Sequence, residues 1–382
     1  MKIGIFSESY EPVVNGVTVS ILTLTRELKK LGHEIHVFAP GVRGHTEEEN
    51  HTIRFPSIRT WKARDYPIAI PYLPRLAQRV KRLDLDVIHT HTPFVLGRLG
   101  LKLAKQLGIP FVSTNHTQYI HYAHYFPFAP KSATRRVIVG YMKWYYNQCD
   151  GIIVPSKPIL TTLRSYGVEA PIHVIPTGIA LDTSVSDGAR SAIRGRYGIP
   201  HDAKVLVYVG RLAREKNMDL LFESFNRVAR GRKDAYLMLI GDGPYESGCR
   251  GLCRDRQLDG RVIFVGPVAI RDVAKYYLAG DVFTFPSVSD TQGLVLWEAL
   301  QAGLPCVAVK AGTAPEMLAD GEDSLLAENS AQDFAAKVNL LLTDDAMRRR
   351  FSEKAIENGC RFHPSEMAAR VQEVYESVLR PV

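Results

Sequence analysis

Short apolar segments typical of β-strands alternate with helix-like segments along almost the whole chain. The strand candidates form two series: KIGIF, EIHVFAP, DVIHTH, IPFVSTNH, DGIIVPS and IHVIPTG, and then AKVLVYVG, AYLMLIGDG, RVIFVG, DVFTFPS and LPCVAV. Between the first two strands, one helix face is marked by Val17, Ile21, Leu24, Leu28 and Leu31. Because parallel strands need crossover helices, this alternation predicts parallel sheets that are covered by helices on both faces.

The length and one polar segment indicate two domains. A chain of 382 residues is too long for one ordinary core, and residues 179–200 are polar and turn-rich between the two series. We therefore predict an α/β protein with two doubly wound, Rossmann-like domains, residues 1–178 and 179–364, that face each other across a cleft. A helix at 365–382 is expected to cross back to the first domain. Ligands of such sheets bind beyond the carboxyl ends of the strands.

Charge is distributed unevenly along the chain. The formal net charge is +8, yet residues 51–150 hold 15 lysines and arginines against 4 aspartates and glutamates, a net of +11. Residues 181–382 hold 26 against 28, a net of −2. The localised positive charge favours an anionic partner for the first domain, such as a lipid surface or another polyanion.

Composition narrows the class of protein further. The apolar and charged fractions, 46% and 23%, are those of a soluble globular protein. The first apolar segment is shorter than the core of a signal peptide, and no apolar run approaches a membrane span, so we expect the protein to start in the cytosol. The five cysteines are odd in number and include no C-x-x-C pair, so neither a disulfide framework nor a zinc site is expected from them.

The second series opens with a strand, a glycine and two cations in the segment VYVGRLAREKNMDLL. Arg211 and Lys216 flank the predicted turn into a helix. Two cations at a helix N-terminus suit a diphosphate, which arginine can bind in bidentate fashion and lysine as a compact point charge. The alternative is an ordinary solvated loop, but the position after a strand end favours binding.

A second helix start, in SDTQGLVLWEALQAGLPCVAV, has the same potential. The helix is predicted to begin near Gly293 and to end by Gly303, a glycine typical of a helix C-terminus. The free backbone N–H groups of Leu294 and Val295 would then bind an anion.

Two carboxylates eight positions apart flank this helix start. Asp290, on the loop, can reach hydroxyl groups, and Glu298, about a turn into the helix, could hold a ribose diol. Together with a diphosphate at the helix start, this arrangement fits a nucleoside-diphosphate sugar. The alternative is a capping aspartate and a solvated glutamate.

Other patterns are weaker. Gly16 opens the helix after the first strand where a dinucleotide-binding fold would have G-x-G-x-x-G; it either lets a ligand approach the backbone or is a plain turn glycine. The D-x-D at residues 84–86 precedes a strand, at the wrong end of a sheet for a ligand. No P-loop, H-E-x-x-H or G-x-S-x-G motif occurs.

Several of these segments resemble, in their order along the chain, the retaining glycosyltransferases of family 4, which have the GT-B fold. The motifs are GRLAREKN, GDGP and the D-x7-E segment before GLPCVAV in the second half, and NGV, DVIHTHTPF, STNHTQY and VIPTGI in the first. The family pattern is usually E-x7-E, so Asp290 is a shorter side chain at the first position. The span from NGVTVS to YYNQCD most resembles the diacylglycerol glycosyltransferases, which make membrane glycolipids.

The resemblance implies roles for the residues of the donor site. Arg211 and Lys216 would stabilise the departing diphosphate. Glu298 would bind the ribose, and Asp290 would contact hydroxyl groups of the donor sugar.

The resemblance also implies a contact with the base and a residue at the reacting carbon. Gly266, Pro267 and Val268 would lie against the base, and His116 of the NHT motif would lie near the anomeric carbon and the acceptor. Without the resemblance, the histidines of this region would be interpreted as core or loop residues.

A basic helix and an aromatic segment indicate an acceptor region. In LPRLAQRVKRLD, Arg75, Arg79 and Arg82 form one stripe beside leucine and valine, as in helices that bind membrane surfaces. Tyr119 and Tyr125 lie in and around HYAHYFPFAP, which is consistent with a mobile apolar lip, and an aromatic helix with a basic start follows. The alternatives are an ordinary surface helix and packing between the domains.

We therefore expect a retaining hexosyltransferase that moves a hexose, glucose from UDP-glucose, to a lipid such as diacylglycerol at the inner face of the cell membrane. No cofactor is expected, because fixed cations and a helix N-terminus can take up the charge of the leaving diphosphate. No nucleic-acid partner is expected. Stimulation by Mg²⁺ is not predicted from the sequence. Three alternatives stay open: a soluble sugar or metabolite acceptor, a sugar-nucleotide epimerase, and a non-enzymatic polyanion-binding protein.

Overall fold

The chain divides into two compact units in the computed structural model. The structure describes residues 1–13, 15–42, 51–60, 63–72, 74–120, 131–184 and 188–379. Unit 1 comprises Met1–Gly178 and Phe362–Val382, and unit 2 comprises Ile179–Arg361. The return to the first unit, predicted at residue 365, begins at Phe362.

Unit 1 is built on a seven-stranded parallel sheet. The strands of this unit in the described part of the chain are β1 (Lys2–Phe6), β2 (Glu34–Pro40), β3 (Thr52–Phe55), β4 (Ser57–Thr60), β5 (Ala63–Ala69), β6 (Val87–Thr90), β7 (Phe111–Thr114), β8 (Gly151–Val154) and β9 (Ile172–Val174). β4 and β5 form a separate antiparallel pair, and the other seven lie in the order β3-β2-β1-β6-β7-β8-β9. Strands β1 to β3 are therefore added towards one edge of the sheet and strands β6 to β9 towards the other, so the strand order reverses between β1 and β6.

The helices that connect these strands, as far as the chain is described, are α1 (Gly16–Lys30), α2 (Leu76–Leu83), α3 (Val95–Leu107), α4 (Lys131–Tyr146) and α5 (Lys157–Ser165). The helix predicted after the first strand is α1. Its N-cap residue Asn15 accepts a hydrogen bond from the backbone N–H of Thr18 (3.0 Å), and Gly32 follows the helix end with a φ of +84°.

Unit 2 is built on a six-stranded parallel sheet. Its strands are β10 (Lys204–Val209), β11 (Ala235–Ile240), β12 (Val262–Gly266), β13 (Val282–Phe285), β14 (Cys306–Val309) and β15 (Ser324–Ala327). Their order is β12-β11-β10-β13-β14-β15, and every neighbouring pair is parallel. From β10 the strands are added towards one edge of the sheet up to β12, and from β13 they are added towards the other edge, so the strand order reverses between β10 and β13.

The helices of unit 2 pack on both faces of this sheet. They are α6 (Ala189–Arg196), α7 (Met218–Gly231), α8 (Glu246–Asp255), α9 (Val273–Leu278), α10 (Leu294–Gln301), α11 (Ala314–Met317), α12 (Ala331–Thr343) and α13 (Asp345–Gly359), with short 3₁₀ turns at Arg214–Lys216 and Ile270–Asp272. The last helix of the chain, α14 (Pro364–Leu379), belongs to unit 1, where Met367 and Val371 join a core cluster with Ile21 and Leu24 of α1.

Both sheets are buried because their strands carry apolar side chains on both faces. In unit 1, Phe6 and Phe38 belong to the core on one face of the sheet, whereas Ile3, Ile5 and Val37 belong to the core on the other. The predicted pair of doubly wound, Rossmann-like sheets is confirmed. Among the described residues, no helix combines the length and apolar character that crossing a bilayer requires.

Candidate active site

The carboxyl edge of the unit 2 sheet carries most of the predicted donor-binding residues. Arg211 and Lys216 follow β10, and Asp290 follows β13. These two strands are neighbours at the point where the strand order reverses. Loops diverge at such a point and leave a crevice, which is where open α/β sheets bind ligands.

Glycines let the loops after β10 and β11 approach each other closely. Leu212 donates its backbone N–H to the carbonyl of Asp242 (2.7 Å). A Cβ atom at Gly241 would lie 2.2 Å from the carbonyl oxygen of Gly210, and one at Gly243 would lie 2.4 Å from that of Leu212. The glycines of GDGP are therefore needed for this backbone contact, which fixes the loop that carries Arg211 and Lys216.

The loop after β10 is also joined to the loop after β13. The side-chain amide of Asn217 donates to the carbonyl of Pro286 (3.1 Å), and the hydroxyl of Ser289 donates to the carbonyl of Glu215 (3.0 Å). Lys216 forms an ion pair with Asp290 across the same junction. The ion pair therefore holds Lys216 beside Asp290, which lies four residues before the start of α10.

Both predicted cations contact carboxylates. Lys216 is paired with Asp290, and Arg211 is paired with Glu215 four positions along the chain. The second carboxylate oxygen of Asp290, Oδ2, is buried and has no hydrogen-bond partner among the described residues. The sequence interpretation assigned Lys216 and Asp290 to different parts of a donor and did not anticipate this pair.

The start of α10 presents uncapped backbone N–H groups. The N-cap residue is Gly293, which has no side chain to accept from them and adopts a left-handed conformation with a φ of +69°. Leu294 and Val295, the first helical residues, are half-buried. The predicted bounds agree with the observed helix, Leu294–Gln301, and Gly303 follows with a φ of +70°. This helix start suits an anion because its first N–H groups carry partial positive charge.

Glu298 lies one turn into α10 and is held by a residue that the sequence interpretation missed. The hydroxyl of Tyr277, a fully buried residue of α9, donates to Oε2 of Glu298 (2.6 Å). Burial raises the pKa of Glu298 above its ordinary value. The alternative of a solvated glutamate is wrong, because Glu298 is half-buried and hydrogen-bonded.

The segment predicted to contact the base follows β12. Gly266 accepts a backbone hydrogen bond from Gly241 (2.9 Å), and its φ is +82°. Pro267 is exposed and Val268 is half-buried. This segment therefore lies at the same carboxyl edge, two strands from the loop after β10.

In unit 1, His116 belongs to a row of three histidines at the carboxyl ends of β6 and β7. His91 Nδ1 and His116 Nε2 lie 2.8 Å apart. The ring of His89 lies 4.2 Å from that of His91 and is hydrogen-bonded at both nitrogens, to Thr114 (2.7 Å) and Tyr375 (2.7 Å). Burial lowers the pKa of His116 to about 4 and that of His89 to about 3. His89 is therefore a core histidine, whereas His116 is half-buried and neutral near pH 7.

Glu8 is a half-buried titratable group at the same edge, and the sequence pattern did not indicate it. It follows β1, and its Oε1 accepts from the backbone N–H of Leu96 (2.5 Å) at the start of α3. Burial raises the pKa of Glu8 to about 7. Its other oxygen, Oε2, is buried and has no hydrogen-bond partner among the described residues. A carboxylate directly after a strand, in SESYEP, is the signal that could have indicated it.

Gly16 is the first residue of α1 and is exposed. The side chain of Asn15 already satisfies one N–H group of this helix start, that of Thr18. Asn15 also donates to Ser9 (2.6 Å), so the turn before Gly16 is fixed by local polar contacts.

The basic stripe of α2 is exposed, but its apolar side is not. Arg75, Arg79 and Arg82 are exposed, whereas Leu76 and Val80 are buried in the core of unit 1. The amphipathic pattern of α2 is therefore accounted for by packing against the core of unit 1, and binding of its basic stripe to a membrane stays a prediction. The three arginines leave a positively charged stripe exposed on α2.

The aromatic acceptor candidates are only partly described. The ring of Tyr119 packs edge-on against Phe94, with centroids 4.9 Å apart. Tyr125 lies outside the described residues. On α4, Arg135, Arg136, Val137 and Trp144 are exposed, so this helix carries basic and apolar residues on its surface.

Comparison with known proteins assigns a chain with these two Rossmann-like sheets to the glycosyltransferases of the GT-B fold. The family model described as Glycosyltransferase Family 4 matches residues 14–183, and that described as Glycosyl transferases group 1 matches residues 189–358.

The relatives support the same family. The α-monoglucosyldiacylglycerol synthase of Streptococcus pneumoniae is 34% identical over 314 residues, which cover 81% of this chain and 71% of that protein. A GDP-mannose-dependent α-mannosyltransferase of Corynebacterium glutamicum is 30% identical, with 85% and 76% covered. The chain therefore belongs to the family-4 glycosyltransferases and is a hexosyltransferase.

Solved structures agree with the fold. The Anabaena protein HepE, in a crystal structure with UDP and glucose, has a TM-score of 0.79 and 21% identity to this chain, and the match covers 99% of this chain and all of that one.

Proposed function

We propose that the protein transfers a hexose, glucose from UDP-glucose, to a lipid acceptor such as diacylglycerol at an anionic membrane surface, with retention of configuration. The α-monoglucosyldiacylglycerol synthase is a supporting relative, since its name states both the sugar and the acceptor. The mannosyltransferase, at similar identity, is named for a different donor, so the donor is the first thing to test.

The observation that carries the proposal is the ion pair between Lys216 and Asp290 beside the uncapped start of α10. The diphosphate of the donor would accept hydrogen bonds from the N–H groups of Leu294 and Val295. Arg211 and Lys216 would neutralise its charge. The free Oδ2 of Asp290 would accept a hydroxyl of the donor sugar.

The same edge accounts for the rest of the donor. Glu298, held by Tyr277, would bind the ribose hydroxyls through its remaining acceptor positions. Gly266, Pro267 and Val268 would lie against the base, where the exposed Pro267 and the half-buried apolar side chain of Val268 suit a planar ring.

The chemistry would require no metal. Negative charge develops on the leaving diphosphate, and fixed cations with oriented N–H groups stabilise it without reorganisation. The departing phosphate would accept the proton of the attacking hydroxyl on the same face of the sugar. His116, neutral near pH 7, would act as a hydrogen-bonding group at the acceptor rather than as a cation.

The basic outer surface of unit 1 would bring the protein to an anionic bilayer. The arginines of α2 are exposed, and the exposed surface of α4 combines Arg135 and Arg136 with Val137 and Trp144. Each lysine or arginine close to an anionic membrane contributes roughly 1 kcal/mol to the free energy of binding.

One observation favours a second candidate, the same donor chemistry with a soluble acceptor. The apolar side of α2 is buried in the protein's own core, so this helix cannot insert into a bilayer as an amphipathic helix does.

An acceptor and donor screen distinguishes the candidates. The protein is incubated with UDP-glucose, UDP-N-acetylglucosamine or GDP-mannose, in the presence of diacylglycerol in anionic or neutral vesicles or of a panel of soluble sugars. Products are analysed by mass and by anomer-resolved NMR, with and without EDTA. Glucosyldiacylglycerol of α configuration, made faster on anionic vesicles and resistant to EDTA, supports the proposal. A glycosylated soluble sugar, an isomerised donor without any acceptor, or a β product contradicts it.

A further inference from the structure

Three potential metal ligands lie together in unit 1, at the start of β2 and just before β3. Glu34, His36 and His51 each offer one donor atom, and these atoms all lie within 4.8 Å of one another. Glu34 begins β2 and His51 directly precedes β3, so the cluster lies at the amino edge of the unit 1 sheet. Glu8, His91 and His116 follow strand ends at the opposite, carboxyl edge.

The strand geometry places these three side chains on one face of the sheet. Glu34 and His36 are two residues apart in one strand and therefore point to the same side. β2 and β3 are parallel neighbours in which Val37 pairs with Thr52, so His51 lies beside His36 in register. The backbone N–H of Val37 donates to the carbonyl of His51 (3.0 Å), which fixes the position of His51.

The side chains are already close to a coordinating arrangement. His36 Nε2 lies 2.9 Å from Glu34 Oε1, and the rings of His36 and His51 meet edge-on, with centroids 5.3 Å apart. With metal–ligand distances near 2.1 Å, two ligands of a tetrahedral ion lie about 3.4 Å apart. Small rotations of the exposed Glu34 and His51 side chains would close the remaining difference around the buried His36.

We propose that Glu34, His36 and His51 bind a divalent transition metal of the Zn²⁺ class. Two imidazoles and one carboxylate are ligands that suit zinc, nickel or copper rather than Mg²⁺ or Ca²⁺, which take oxygen ligands. Water completes the coordination on the exposed side.

The bound ion has a structural role that is independent of the proposed function. β3 is the edge strand of the seven-stranded sheet, where its one partner among the described strands is β2. A metal that bridges His51 to Glu34 and His36 fastens the start of this edge strand to its neighbour. Because the unfolded chain lacks the assembled site, the ion stabilises the folded form in proportion to its concentration.

Zinc binding by the full chain, without an affinity tag and after removal of metals with EDTA, tests the proposal. Calorimetric titration with Zn²⁺ gives affinity and stoichiometry, and the absorption spectrum with Co²⁺ reports the ligand geometry. We expect one saturable site per chain and a Tm that rises with the Zn²⁺ concentration.

Two variants at exposed ligands, His51→Ala and Glu34→Gln, keep the test independent of folding. We expect each to weaken Zn²⁺ binding at least tenfold and to abolish the rise in Tm. His201→Ala, which removes an exposed histidine of unit 2, is the matched control and should bind as the unchanged protein does. The proposal is overturned if the unchanged protein has no saturable site, or if His51→Ala or Glu34→Gln binds Zn²⁺ with undiminished affinity.

Discussion

Lys216 and Asp290 are 74 positions apart in the sequence and form an ion pair whose side chains are only 23% and 18% exposed. The pair joins the loops that follow β10 and β13, the two neighbouring strands at which the strand order reverses. Only one oxygen of Asp290 is engaged, and Oδ2 is buried without a hydrogen-bond partner among the described residues. A buried, unpaired acceptor costs free energy, so a ligand hydroxyl that reaches Oδ2 supplies a hydrogen bond that this oxygen lacks in the unliganded protein.

Lys216→Ala is expected to lower kcat/KM about a hundredfold or more. An electrostatic donor to the leaving diphosphate is worth roughly 3 kcal/mol, and each 1.4 kcal/mol corresponds to about tenfold in rate. The variant also leaves the carboxylate of Asp290 without its cation, which should lower the free energy of unfolding by about 1–3 kcal/mol. Initial rates and urea denaturation measure the two effects.

The double variant Lys216→Ala/Asp290→Asn separates these effects. It should recover most of the lost stability, because no unpaired charge remains, but none of the activity. Lys337→Ala is the matched control, since it breaks an ion pair with Asp333 on α12 and should change stability by only about 0.5 kcal/mol. A double variant no more stable than Lys216→Ala would show that the pair is not coupled as described.

Tyr277→Phe is expected to raise the KM for the donor about tenfold while kcat changes less than about twofold. The lost hydroxyl holds Glu298, and a loosened Glu298 binds the ribose less well in the ground state and the transition state alike. Steady-state kinetics with varied donor concentration measure this split. Tyr276→Phe, at the neighbouring α9 residue whose ring faces Tyr197, is the control. Equal KM changes in both variants would indicate a general disturbance of α9.

Much of the fold could be predicted from the sequence because its signals are local. The start and end of α10 follow from Gly293 and Gly303, and α1 follows from the spacing of Ile21, Leu24 and Leu28. β3, β4 and β5 were not predicted. β15 was not predicted either. β3, β4 and β15 have four residues each, too few for a periodic signal, and β5 (ARDYPIA) has no regular apolar alternation.

The site was predicted residue by residue but not as a set of contacts. The pairs Lys216–Asp290 and His91–His116 depend on which strands are neighbours, and Tyr277–Glu298 depends on how α9 packs against α10. The sequence pattern gives neither. Periodicity also identified the apolar side of α2 without saying what covers it. The protein's own core and a lipid surface favour the same residues, and only the packing of Leu76 and Val80 distinguishes them.

Arg79→Ala/Arg82→Ala is expected to weaken binding to anionic vesicles by about 30-fold, which corresponds to roughly 1 kcal/mol for each exposed charge. Arg75 is left unchanged because its backbone is left-handed, with a φ of +57°. Vesicle flotation at two salt concentrations measures the effect. Arg79→Lys/Arg82→Lys keeps the charge and should bind normally. The electrostatic account fails if the lysine variant loses as much binding as the alanine variant.

Glu8→Gln is expected to change how stability depends on pH. The pKa of Glu8 is about 7 in the folded protein against an ordinary 4.5, so the folded state binds more protons between these values. Stability therefore falls as pH rises through this window, by up to about 3 kcal/mol, and the glutamine variant lacks this fall.

The comparison of the two proteins isolates Glu8 from the neighbouring histidines. Burial lowers the pKa of His89, His91 and His116, so their contribution rises with pH below about 6.5, but it is present in both proteins. Urea denaturation at pH 5, 6, 7 and 8 gives the difference in free energy of unfolding. That difference should favour Glu8→Gln increasingly up to about pH 7 and then level off; a difference constant with pH would refute the prediction.

Gly241→Ala is expected to destabilise unit 2 by at least about 2–3 kcal/mol. Gly241 has a φ of +121°, and its new Cβ would lie 2.2 Å from the carbonyl oxygen of Gly210, so both the backbone and the contact between the two loops would be strained. Because Arg211 follows Gly210 directly, binding of UDP should weaken as well.

Gly251→Ala is the matched control: it lies inside α8 with no neighbour within 4 Å of the new atom, and alanine there should stabilise by about 0.5–1 kcal/mol. Thermal unfolding and UDP titration of both variants measure these opposite effects, and a Gly241→Ala protein as stable as the unchanged chain would show that the close approach of the two loops is not required.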